Sequence, residues 1–130
     1  MGLLDRLRGR KKDDDEDSYA PITLDLERRR PQLLRLEQAL DNLAKTMRDE
    51  HTTHDPGWRS RVNEYSRLAG EAITLRRSTP TREELIDLVF AVRPVFTGPI
   101  PEGMEALGPL QDELMAAAED MRELLPGERG

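Results

Sequence analysis

The two histidines of the chain, His51 and His54, fall in the stretch His51-Thr52-Thr53-His54-Asp55, with Asp49 and Glu50 just before it. Imidazole nitrogens and carboxylate oxygens at this spacing are ligand types for zinc and other divalent ions. A working site also needs a third or fourth ligand on a rigid support, and a polar connection between helices offers little rigidity. His51, His54 and Asp55 are therefore the nearest approach to a metal site, and the expectation is no metal and no cofactor. The chain has no cysteine, which removes disulfides, thiol nucleophiles and cysteine-held zinc or iron–sulfur clusters. No Gly-rich phosphate loop, G-x-S-x-G, H-E-x-x-H or EF-hand pattern occurs. The carboxylate groups Glu83/Glu84/Asp87 and Asp112/Glu113 read as solvated helix faces. With no nucleophile beside a base, the expectation is a protein that is not an enzyme.

Arginine is the other side chain with binding chemistry. Arg28, Arg29 and Arg30 are consecutive, Arg35 follows, and Arg59 and Arg61 stand further along. These six are the residues that would contact nucleic acid. Three consecutive helical positions fan across about 200°, so they do not form one stripe. The formal net charge is -6, whereas nucleic-acid binders usually carry a basic face. Nucleic-acid binding is the alternative reading, and a small metal-dependent role for the His51/His54 loop is a third.

The opening twelve residues, MGLLDRLRGRKK, combine Leu3, Leu4 and Leu7 with Arg6, Arg8, Arg10, Lys11 and Lys12. In a helix the leucines fall on one side, flanked by five positive charges and opposed by Asp5. Such a segment can lie in a membrane interface or enter an apolar groove of a protein partner. Five acids follow as Asp13-Asp14-Asp15-Glu16-Asp17. Adjacent like charges repel and stay solvated, so this run reads as a linker. Fatty acylation at Gly2 is not expected, because Arg6 stands where the signal needs Ser or Thr. No long apolar stretch follows Leu3 and Leu4, so neither a secretory leader nor a membrane span is expected. The expected compartment is the cytoplasm, with the inner face of the membrane as a peripheral location.

Elements must then be found to carry these side chains. Charged residues make up 35% of the chain and aromatics 4%. That balance, rich in Leu, Ala, Glu and Arg, favours helix over sheet. The strongest periodicity is Leu26, Leu33, Leu36, Leu40, Leu43 and Met47, spaced 7, 3, 4, 3 and 4, a 3-4 seam. Proline removes a donor and clashes with the preceding turn, so the helix to Glu50 either starts with Pro31 in its first turn or begins near Leu24 and is kinked at Pro31, the second being the expectation. Asp55-Pro56 signals the next start, and Trp58, Val62 and Tyr65 begin a second seam that runs to about Arg77. Thr81 and Glu84 match a capping box, predicting a short helix to about Val92. Pro94 to Gly103 read as loop, with Phe96 and Ile100 as inward anchors. A fourth helix is predicted from Glu102 to Leu125, with Leu114 and Met121 on its apolar side and Gln111 as the polar interruption.

The expected fold is all-α: an antiparallel helical bundle of three long helices plus one short helix, with a disordered N-terminal tail. Residues 1–20 are the tail and linker, 21–126 the bundle domain, and 127–130 a frayed C-terminus. The packing positions are Leu33, Leu36, Leu40, Leu43, Met47, Trp58, Val62, Tyr65, Leu114 and Met121. The expected function is a protein-interaction or scaffold module, tethered through its N-terminal segment to a membrane surface or larger assembly. Its expected partners are an unidentified protein, a second copy of the chain included, and an anionic membrane surface.

Overall fold

The computed structural model describes residues 23–50 and 55–128. Four helices carry these residues, with no strand among them: α1 (Leu26–Glu50), α2 (Pro56–Arg76), α3 (Arg82–Ala91) and α4 (Leu107–Asp120). The N-terminal tail expected over residues 1–20 lies outside the described residues, as do His51 and His54.

The seam of α1 faces inward. Leu33, Leu36, Leu40, Leu43 and Met47 are fully buried, and Ala39 and Ala44 fill the spaces between them. The helix begins two residues later than its apolar pattern suggests. Asp25 supplies the start: its carbonyl accepts from the Arg28 and Arg29 amides at 3.1 and 2.8 Å. Pro31 lies inside α1 rather than at its start. The carbonyl that loses its partner there is that of Glu27, and both residues are exposed, so water can serve it and the helix continues.

The start of α2 follows from its sequence. The Asp55 side chain accepts from the Gly57 amide at 2.9 Å, and Pro56 occupies the first turn, where a missing donor costs nothing. At α3 both halves of the capping box form: the Thr81 hydroxyl accepts from the Glu84 amide at 3.1 Å, and the Glu84 carboxylate accepts from the Thr81 amide at 2.9 Å. The core comprises the α1 seam together with Val62, Tyr65 and Leu68 of α2, Leu85 and Leu88 of α3, Leu114 of α4 and Met121 at the end of α4. Trp58 is half-buried against it, and its indole N–H donates to the Met47 carbonyl at 3.2 Å.

That bond ties the beginning of α2 to the end of α1. At the other end, the Arg30 guanidinium donates to the Arg76 and Ser78 carbonyls at 3.1 and 3.2 Å. The two helices are therefore antiparallel. Helix α1 also packs on α4, and α3 packs on α2. The ion pairs that join helices run through α1. Its Glu37 meets Arg76 of α2 at 2.9 Å, and its Arg35 meets Glu113 and Asp120 of α4 at 2.8 and 2.6 Å. Helices α2 and α4 are thus each ion-paired to the central helix.

The fourth helix is shorter than its apolar periodicity predicts, spanning Leu107–Asp120 rather than 102–125. The bundle accordingly has two long helices and two shorter ones, not three long and one short. Residues 101–106 run in tight turns, with the Met104 amide bonded to the Pro101 carbonyl at 3.0 Å. Pro109, which has no N–H, then falls in the first turn of α4. Gly108 packs closely: a Cβ there would meet the end of the Ile100 side chain at 3.0 Å, which would have to shift by a few tenths of an ångström. After Asp120 the chain turns, and Gly127 adopts φ 92°, a conformation in which glycine carries no steric penalty. Glu128 is fully buried; residues 129–130 lie outside the described residues.

Candidate functional site

The six arginines singled out from the sequence are dispersed. Arg28 is exposed, with Asp25 at 3.5 Å. Arg29 is fully buried. Arg30 closes the carbonyl end of α2. Arg35 forks onto Glu113 and Asp120 across the α1–α4 boundary, and those hydrogen bonds hold the Glu113 carboxyl below its ordinary range despite the opposing pull of desolvation. Arg61 donates to the Pro94 carbonyl at 2.8 Å and lies beside Tyr65, so it anchors the chain after α3. Arg59 is exposed at the start of α2. Because α1 and α2 are antiparallel, Arg28 and Arg30 lie at one end of the pair and Arg59 and Arg61 at the other. Nineteen residues separate Arg28 from Met47, or about 28 Å of helix rise. The two groups do not form one basic surface.

Asp55, the described member of the suggested metal set, serves as a helix cap. Among the described residues no group of three His, Cys, Asp or Glu side chains could hold a metal ion. The tether residues Leu3, Leu4, Arg6, Leu7, Arg8, Arg10, Lys11 and Lys12 lie outside the described residues. Among those described, no helix is long and apolar enough to cross a membrane.

The most concentrated chemistry in the fold is a buried ion pair that the sequence motifs do not announce. Arg29 and Glu128 are both fully buried, and the guanidinium donates to the carboxylate from Nε at 2.9 Å and from Nη2 at 2.5 Å. Arg29 also donates to the Met121 and Glu123 carbonyls at 3.2 and 2.8 Å, closing the end of α4. Glu128 accepts from the Asp25 and Leu125 amides, both at 2.8 Å. Burial opposes the charge on Glu128, but the Arg29 side chain and these two amides outweigh it and bring its pKa down to about 2. Every donor and acceptor is directed inward, so the pair clasps the start of α1 to the last described residues. It has no face open to a substrate. One signal in the sequence points to it: the step of seven from Leu26 to Leu33 skips a seam position, and Arg29 occupies it.

Two surface features remain open. Phe90 of α3 is 63% exposed, and the Arg122 guanidinium lies 5.2 Å from its ring centroid. Beside α3, along its contact with α2, runs an open groove of about 290 Å³. Leu75 and Leu88 are its less exposed, apolar lining, and the exposed Thr74, Glu71, Glu84 and Asp87 stand around them. Glu84 is held by its role in the capping box. Glu71 is paired with Arg67 one turn earlier. Metabolite sites are typically enclosed and about 300–1,000 Å³. This groove is at the bottom of that range and open, a scale suited to side chains of another polypeptide. The groove joins residues that no linear motif connects, since it requires the end of α2 to lie against the first turns of α3. No protein-family model matches the chain, and no curated protein or solved structure matches it.

Proposed function

We infer that this protein is a non-enzymatic interaction module, with the helical bundle as its binding body and residues 1–12 as its tether to an anionic membrane surface or a larger assembly. The observation that carries this reading is the surface of α3, which bears an exposed aromatic ring at Phe90 and, separately, along α2, a groove lined by Leu75, Leu88 and three carboxylates. Exposed apolar groups rimmed by charge mark interaction surfaces. The polar side chains elsewhere support the same reading, because Arg29, Arg30, Arg35, Asp55, Arg61 and Tyr65 are engaged in holding helices and loops together. The tether rests on the sequence of residues 1–12, where three leucines accompany five basic residues. One such segment contributes about 1 kcal/mol per basic residue near an anionic leaflet, and pairing two copies would strengthen attachment through avidity.

Co-sedimentation with phosphatidylserine-containing vesicles tests the membrane form. The full chain and a chain beginning at Ser18 are compared at low and high salt. Pelleting of the full chain alone, released by salt, is the expected result. If neither chain pellets, the membrane tether is refuted, and a pull-down with the same two chains then tests attachment to a protein assembly.

A further inference from the structure

The groove between α2 and α3 and the N-terminal segment carry complementary chemistry. The groove offers the apolar lining of Leu75 and Leu88 among the carboxylates of Glu71, Glu84 and Asp87. Residues 1–12 offer Leu3, Leu4 and Leu7 with five basic side chains and one acidic. The leucines stand at i, i+1 and i+4, so Leu3/Leu7 and Leu4/Leu7 are the i,i+4 and i,i+3 pairs that a helical turn places side by side. This is the anchor spacing by which short segments enter grooves between helices.

The geometry also brings the two within reach. The groove lies at the carboxyl end of α2, from Glu71 to Leu75. That end is bonded to the first turns of α1 through Arg30 and the Arg76 and Ser78 carbonyls. The chain therefore enters the bundle, at Thr23, on the same end as the groove. Glu71 is five residues from Arg76, about 8 Å of rise, and packed helix axes are about 8–10 Å apart. Thr23 lies seven residues before Arg30, about 10 Å further along α1, so the path from Thr23 to the groove is about 28 Å. The ten residues 13–22 can extend to about 35 Å, which spans it. The acidic run Asp13–Asp17 would cross an end of the bundle where Arg28, Arg30 and Arg77 are exposed, so its charge is matched on the way.

We propose that residues 1–12 dock into the α2–α3 groove of their own chain, with Leu3, Leu4 and Leu7 on the apolar lining and the basic side chains on the surrounding carboxylates. This deepens the proposed function and rests on its reading of residues 1–12 as a docking element. It names the groove as the resting place of that element when no membrane or partner holds it. The contact need not be strong. A short linker sets an effective concentration in the millimolar range, so a segment with a dissociation constant of about 1 mM as a free peptide is substantially docked when tethered.

Paramagnetic relaxation in the full chain tests this, without vesicles, so its outcome is independent of membrane binding. The chain lacks cysteine, so Gly2→Cys gives a single site for a nitroxide label. Strong broadening confined to the amides of Thr74, Leu75, Asp87 and Leu88 is expected, fading at about 0.5 M salt as surface charge is screened. The double variant Glu71→Lys/Asp87→Lys changes exposed side chains only; it should lose at least half of that broadening while its other amide signals stay in place. Adding Arg8→Glu and Arg10→Glu should restore it. Broadening that is uniform, absent or indifferent to both charge reversals overturns the proposal. So does groove broadening of unlabelled, isotope-enriched chains mixed with labelled ones, because the tail then docks on a second copy.

Discussion

Replacing Glu128 with glutamine tests whether the buried ion pair closes the fold. The substitution keeps the side-chain volume and removes the charge that Arg29 and the Asp25 and Leu125 amides surround. The pKa of Glu128 falls from an ordinary 4.5 to about 2, a drop worth about 3 kcal/mol of folding free energy at neutral pH. Removing one partner of a buried pair costs about 3–5 kcal/mol, because the other charge is left uncompensated. The two figures agree, and both are large against a total of about 5–15 kcal/mol for a domain. The pH dependence has a definite sign. A depressed carboxyl contributes fully above the unfolded pKa, and the contribution is lost as pH falls through the folded one. The difference between the native chain and Glu128→Gln should therefore be constant from about pH 7 to about pH 5 and shrink between pH 4.5 and about 2. Urea unfolding followed by helical circular dichroism measures it. A variant within about 0.5 kcal/mol of the native chain at neutral pH would refute the reasoning, since surface changes usually fall in that range. A difference that does not change with pH would also refute it, by showing that packing and not charge is responsible.

Gly70 is an exposed interior residue of α2, and a Cβ added there would meet nothing within 4 Å, so Gly70→Ala should raise stability by about 0.5–1 kcal/mol, seen as a higher urea midpoint. Thr81→Ala removes one half of the α3 capping box and should cost about 1 kcal/mol, measured the same way. Gln111 receives the Phe96 amide at 2.8 Å and donates to the Phe96 carbonyl at 3.3 Å; Gln111→Ala should cost about 1–3 kcal/mol and speed hydrogen exchange at the Phe96 amide.

The helices are legible because their signals are local. The α1 seam, the Asp55-Pro56 start and the Thr81/Glu84 box each depend on residues within a few positions of one another, and each is found where the pattern puts it. The fourth helix shows where periodicity misleads. Met104, Leu107, Leu114, Met121 and Leu125 keep a helical spacing, yet the helix forms only over Leu107–Asp120, because apolar spacing survives in turns that pack on the same core. Gln111 reads as a break in that apolar face. Its amide is in fact the double anchor of Phe96, which explains how a polar residue sits there without loss.

Of the surface chemistry, the sequence exposes types but not neighbours. Arg28, Arg29 and Arg30 look equivalent in the chain, yet one is exposed, one is fully buried and one closes α2. Consecutive helical residues are about 100° apart, so tertiary packing assigns each a different environment. The α2–α3 groove was not legible at all, because its lining pairs Leu75 with Leu88 across a helix break.

The sequence by itself determined an all-helical chain, the boundaries of its first three helices to within two residues, and the side of α1 that faces the core. These follow from capping chemistry and the 3.6-residue period, which act over a turn or two. Only the tertiary structure decided that α1 is the central helix, that Glu128 returns from 99 positions away to meet Arg29, and that an acidic groove opens between α2 and α3. Those depend on contacts between residues distant in the chain, where burial makes one pairing favourable and no local pattern records it.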